Sequence, residues 1–250
     1  MIPVDFEYTA PETLEQAIGA LREGGEDAKV LAGGHSLIPL MKLRLAAPQL
    51  LVDIRKVPGL RGIRREDGHF RVGAMTPHAT VARERGLGLA AKAAGTIADP
   101  QVRHRGTLGG TLAHGDPAAD LPAIVLAMEG VMTIHGQDGG SREVAAADFF
   151  QDYLTTAVGD DEIVTEIRLP AFDGYGHAYE KFNRRSEDWA MVAVGALVRK
   201  AADGTCEDVR VGLTNMAGVP LRAVAVEQAL RGQPLDAATI ARAAEQAAEG

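Results

Sequence analysis

Apolar residues at Leu14, Ala17, Ile18 and Leu21 recur at helical spacing behind Thr13. Gln16 stands three residues after that threonine, and Gly24 and Gly25 close the run, so the pattern predicts a capped amphipathic helix. The stretch AKVLAGG then reads as a short buried strand that empties into a glycine pair, and QLLVDI, ending near Asp53, reads as a second strand. Together these make a small α/β unit. Residues 70–85 read as a strand followed by a helix opened by Thr76 and Pro77, since proline is tolerated in a first helical turn. A helix is expected over 87–94, irregular chain over 95–117, and a helix over 121–128. VMTIHG and DEIVTEIRLP read as strands. Residues 170–176, PAFDGYG, are dense in turn formers and predict a linker. Beyond them HAYEKFNRR, MVAVGALVRK and DVRVGLTN alternate well enough for an antiparallel three-stranded sheet, with helices over 223–230 and 237–248. The class expected is α+β.

Composition narrows the function. A chain of 250 residues with 46% hydrophobic content can bury a substantial core. Its net charge of -8 and isoelectric point near 5.4 argue against nucleic-acid binding, and the basic pair Arg184 and Arg185 is too short to reverse that. A single cysteine, Cys206, excludes a disulfide framework, a thiolate zinc site and an iron–sulfur cluster held by this chain alone; a small packed residue is its expected role. The N-terminal residues carry no cationic segment leading into an apolar run, and no stretch reaches the length of a membrane span. The cytoplasm is the expected location, with peripheral contact at the inner membrane left open.

Two glycine pairs carry the candidate chemistry. The first lies in AGGHS, where Ala32, Gly33, Gly34, His35 and Ser36 are followed by Leu37. Glycines at a strand-to-turn junction let backbone N–H groups converge on phosphate oxygens, and Ser36 adds a hydroxyl. A tight turn is the competing reading. The spacing is neither a dinucleotide fingerprint nor a P-loop. The second pair, in RGTLGGTLAHGDPAAD, places Gly109 and Gly110 between Thr107 and Thr111 and adds two carboxylates, Asp116 and Asp120. Amides and hydroxyls suit a pyrophosphate, and carboxylates suit sugar hydroxyls. Asp116 reads equally as an N-cap ahead of Pro117. His35 and His114 match no zinc spacing.

Three ordered segments, AGGHSLIPLMKLRLAAPQLLVDI, VRHRGTLGGTLAHGDPAADLPA and YEKFNRRSEDWAMVAVGALV, resemble the FAD-binding medium subunits of the molybdenum hydroxylase family, in the carbon monoxide dehydrogenase and xanthine dehydrogenase group. The resemblance implies a two-part FAD-binding domain of the PCMH type over 1–170, with subdomains of about 1–57 and 58–170, and a C-terminal domain of the carbon monoxide dehydrogenase flavoprotein type over 176–250, shorter than family members usually have. It implies that residues 32–36 and 107–111 wrap the pyrophosphate of noncovalent FAD mainly with backbone groups, and that Asp120 holds a cofactor hydroxyl. Lys181 would lie near the isoalloxazine, where a cation favours the reduced ring, and Trp189 would stack beside it. Without the family, Lys181 reads as a solvated strand lysine and Trp189 as core. Thr111 and His104 each stand where relatives often carry asparagine.

The resemblance also implies partners: a small subunit with two-iron clusters and a large subunit with molybdopterin, assembled as a dimer of heterotrimers. Substrate would be oxidised on the large subunit, and this chain would pass electrons through FAD to quinone, NAD or oxygen. A free-standing FAD oxidase and a non-catalytic assembly protein are the competing functions.

Overall fold

Thr13 does start the first helix, which belongs to a small parallel sheet unit. The computed structural model describes residues 2–248. In chain order this unit holds β1 (Glu7–Thr9), α1 (Leu14–Gly24), β2 (Ala28–Leu31), α2 (Leu37–Lys42) and β3 (Leu50–Asp53), with strand order β1-β3-β2. Thr13 Oγ1 accepts from the Gln16 amide at 3.2 Å, and the Gln16 side chain accepts from the Glu12 amide at 3.0 Å. The apolar face of α1, Ala17, Ile18 and Leu21, packs with Ala28 and Val52 of the sheet.

The second unit is a five-stranded antiparallel sheet with helices inserted between its strands. Its elements are β4 (Ile63–Glu66), β5 (His69–Gly73), α3 (His78–Arg83), α4 (Leu89–Gly95), α5 (Pro100–Arg105), α6 (Leu108–His114), α7 (Asp120–Ala127), β6 (Val131–His135), β7 (Ser141–Ala145), α8 (Ala146–Phe149), a hairpin of β8 (Phe150–Asp152) and β9 (Thr155–Thr156), and β10 (Ile163–Pro170). The sheet order is β4-β5-β10-β6-β7. Leu108, Leu112, Leu121, Ile124, Met132 and Phe149 are fully buried in its core. The stretch 95–117, expected to be irregular, holds two short helices. Asp99 caps the first by accepting from the Val102 amide at 2.9 Å, with Pro100 in its opening turn. Thr107 caps the second.

The third unit is the expected meander, β11 (Gly176–Phe182), β12 (Val192–Lys200) and β13 (Cys206–Thr214), extended by a two-residue fourth strand, β14 (Leu221–Arg222), and covered by α9 (Val224–Leu230) and α10 (Ala237–Ala244). Helix α7 of the second unit lies against this sheet. A Cβ on Gly212 of β13 would strike the Ala123 backbone, and one on Gly195 of β12 would strike the Ile124 side chain. These glycines form a notch in which α7 sits. The expected linker is packed: Phe172 and Tyr175 meet edge to face at 5.0 Å, Arg210 and Arg199 lie over their rings, and Tyr175 donates to Asp208 at 2.7 Å. Among the described residues no helix is long and apolar enough to cross a membrane.

Candidate functional site

The three units meet at a cleft of about 650 Å³. Its walls are the loop after β2, the start of α6, the segment from β9 to Glu162, and, from the third unit, Lys181 with the loop carrying Trp189.

The first glycine loop follows directly from β2. Gly34 has φ of +78°, a conformation that only glycine adopts cheaply, and Gly33 lies so close to the 105–106 backbone that a Cβ there would come within 2.8 Å of Gly106 Cα. The consequence is a run of backbone donors without protein partners. Among the described residues, the amides of Gly33, Gly34, His35, Ser36 and Leu37 donate to no protein group. The Ser36 hydroxyl is likewise unpaired, and all five residues line the cleft. Convergent unpaired amides of this kind form an anion site.

The second glycine pair behaves differently from the expected backbone cradle. It sits in the first turn of α6, where the Leu108 amide donates to Thr76 at 3.0 Å, the Gly109 amide to Ala74 at 2.8 Å and the Gly110 amide to Thr107 Oγ1 at 3.1 Å. Those donors are consumed inside the protein. Gly109 is needed because a Cβ would collide with Ala74, so its role is packing of α6 onto the end of β5. Thr107, Gly110 and Thr111 still line the cleft, and the hydroxyl protons of the two threonines are what this segment offers a ligand.

Asp116 does not line the cleft. Its Oδ1 accepts from the Ala118 amide at 2.9 Å and its carbonyl from the Ala119 amide, which closes a turn before α7. It is therefore not the N-cap of that helix, whose cap position is Ala119. Asp120 is in the cleft wall, buried, and already engaged: Tyr179 donates to Oδ1 at 2.5 Å and Lys181 to Oδ2 at 3.0 Å. Burial, and after it the Asp120 charge, push the Tyr179 phenol above its ordinary value, so it remains a donor. Lys181 is no solvated strand lysine, and Trp189, 53% exposed, is no core residue.

Glu162 and His78 are among the cleft residues that the sequence did not single out. Glu162 receives Arg142 at 2.6 Å and the Gly159 amide at 2.8 Å; the Arg142 hydrogen bond holds its carboxyl below the ordinary value. His78 opens α3, is 5% exposed, and has a fully buried Nδ1 with no partner. Burial, reinforced by His35, pushes its imidazole down to about 4. Burial also lowers His114, against the pull of Asp116. Among the described residues no group of three or more His, Cys, Asp or Glu is placed to hold a metal ion.

Comparison with known proteins gives the same outline. The family model for the FAD binding domain in molybdopterin dehydrogenase matches residues 4–172, and that for the CO dehydrogenase flavoprotein C-terminal domain matches residues 177–250. The chain is 43% identical to the carbon monoxide dehydrogenase medium chain of Hydrogenophaga pseudoflava, over 99% of its own length and 87% of the relative's. A solved carbon monoxide dehydrogenase from that organism, lacking the Mo-pyranopterin moiety of the molybdenum cofactor, matches with a TM-score of 0.95 and 45% identity over 98% of this chain and 87% of that one. Quinoline 2-oxidoreductase from Pseudomonas putida 86 matches with a TM-score of 0.94 and 32% identity, over 100% and 88% of the two chains.

Proposed function

The chain belongs to the FAD-binding medium subunits of the carbon monoxide dehydrogenase and xanthine dehydrogenase group, and from that premise we propose that it is the electron relay of a molybdenum hydroxylase complex. Its partners are a small subunit with two-iron clusters and a large subunit with the molybdenum cofactor, in a dimer of heterotrimers in the cytoplasm. The observation that carries this reading is the row of five unpaired amides in a chain whose only cysteine, Cys206, is buried in the third unit. The chain has a place for an anionic dinucleotide and a single cysteine where a two-iron cluster needs several thiolates.

The residues fit FAD as follows. The amides of Gly33, Gly34, His35, Ser36 and Leu37 hold the diphosphate, with hydroxyls of Ser36, Thr107 and Thr111 as further donors; Ala32 and Gly110 keep the wall low beside it. Asp120 holds Lys181 in place and charged toward the flavin ring, and its remaining lone pairs are free for a cofactor hydroxyl. Trp189 supplies an aromatic face. When bound, FAD converts single electrons from the clusters into a two-electron reduction of an acceptor such as quinone, NAD or oxygen. The domain division that suits this assignment is 1–170 and 176–250, the first part having subdomains of about 1–57 and 58–170.

Acid precipitation of the purified chain should release the flavin as FAD. Flavin left in the pellet, or FMN in the supernatant, contradicts the noncovalent dinucleotide. The isolated chain should be inert toward carbon monoxide and purines under anaerobic conditions, and addition of the iron–sulfur and molybdenum subunits should restore bleaching of the flavin by substrate. Rapid bleaching of the isolated chain by an organic substrate would overturn the relay.

A further inference from the structure

His78 is a buried polar side chain lining the cleft that the proposed function leaves unused. It begins α3 immediately after Pro77, and its own amide donates to the Gly106 carbonyl at 2.9 Å. The ring lies against Gly106: a Cβ at that position would come within 2.7 Å of Cδ2 and 3.0 Å of Nε2. Gly106 in turn touches Gly33. The Cδ2–Nε2 edge therefore lies where the two glycine segments meet, beside the row of unpaired amides.

The two ring nitrogens are not equivalent. Neither has a hydrogen-bond partner among the described residues, but only Nδ1 is sealed from solvent, so Nε2 is the nitrogen that reaches the cleft. An orphaned buried N–H costs more than an orphaned lone pair, because the donor loses a strong hydrogen bond to water. The proton therefore belongs on Nε2. Burial keeps the ring neutral at physiological pH.

We propose that His78 is a further ligand-holding residue of the cleft, a neutral imidazole fixed as the Nε2–H tautomer that donates to the diphosphate of FAD. Gly106 is glycine because a side chain there would push this ring aside. The proposal rests on the cleft being the FAD site.

The test uses the full-length FAD-free chain and three probes: FAD, ADP, which has the diphosphate without the flavin, and adenosine, which has neither. His78→Phe keeps the ring shape and removes both nitrogens; His78→Gln places an amide N–H near the Nε2 position. The expected result is a loss of roughly ten- to hundredfold in affinity for FAD and ADP in His78→Phe, recovery of most of it in His78→Gln, and unchanged adenosine binding. Long-range 1H–15N correlation spectra of the wild-type chain should show a neutral Nε2–H ring at position 78, a readout that does not depend on any variant folding. Equal ADP affinity in wild type and His78→Phe, a matching loss for adenosine, or an Nδ1–H tautomer overturns the proposal. If the wild-type chain binds neither FAD nor ADP, the assignment of the cleft to FAD fails instead.

Discussion

Lys181 Nζ and Asp120 Oδ2 form an ion pair of 3.0 Å whose side chains are 6% and 5% exposed, and the pair joins β11 of the third unit to α7 of the second. Tyr179, two residues before Lys181, fills the other carboxylate oxygen. The cleft thus acquires a buried, held cation at the seam between two units.

Removing one member of a buried pair strands the other without compensation. Asp120→Asn keeps the acceptor for Tyr179 and should lower the stability of the FAD-free chain by about 3 kcal/mol, while the double variant Asp120→Asn, Lys181→Met should recover most of it. Denaturant unfolding of the four proteins gives the coupling. Strictly additive losses would show that the two charges do not depend on each other.

Gly33 packs on the backbone of 105–106 rather than on open cleft, so Gly33→Ala has a cost even without a ligand. The expected loss is about 1–3 kcal/mol in the FAD-free chain, together with lower FAD content. A variant with unchanged FAD-free stability and reduced FAD content would mean that the loop relaxes away from residue 105.

Local periodicity decides which elements of this chain can be read from its sequence. The helix behind Thr13, the strands on either side of the first glycine loop and the C-terminal meander are legible because each carries its own period over several residues. Helices α5 and α6 are not, because in six- and seven-residue segments divided by Gly106 the apolar repeat reduces to one i,i+4 pair, Leu108 and Leu112 of α6; their clearer signals are the caps Asp99 and Thr107. Strands β4 and β7 are mostly exposed and polar, so alternation is faint. The sequence points to the backbone of 32–36 as donors, and the unpaired amides are those of 33–37, but the spent amides of α6 depend on Ala74 and Thr76 in another element. Asp120 pairs with residues about sixty positions away, and His78 carries no motif; only the fold discloses either.

His78 also sets a pH dependence of stability in the FAD-free chain. Its folded value of about 4 lies below the ordinary 6.5, so the unfolded chain takes up a proton first as pH falls. Stability is complete above pH 6.5, declines as pH drops from there toward 4 by a total of about 3 kcal/mol, and levels below. His114, lowered in the same direction, adds to the decline. Urea unfolding across this range should show the slope, and His78→Phe should remove most of it; an identical slope in the variant would assign it to other groups.

Gly212 meets the Ala123 backbone, which cannot yield, whereas Gly195 meets only the end of the Ile124 side chain. Gly212→Ala should therefore cost about 2 kcal/mol and lower the thermal midpoint by roughly 4–8 °C, with Gly195→Ala milder. Calorimetry of both distinguishes them; equal midpoints would mean that α7 is not seated as tightly as the notch implies.

That notch has a kinetic meaning for the cofactor. With α7 seated against β12 and β13, the wall bearing Asp120 and the wall bearing Lys181 are joined by that packing and by the ion pair, so these two walls do not part without breaking both. The parts of the cleft rim with fewer such ties are the loop 33–37, whose amides donate to no protein group among the described residues, and the loop 183–191, whose Trp189 and Met191 stand half in solvent. Such strips open at a small fraction of the global unfolding free energy. With the cleft as the proposed FAD site, the rate of FAD release should follow how often these two loops lift, and mutations that stabilise the chain elsewhere should leave it unchanged.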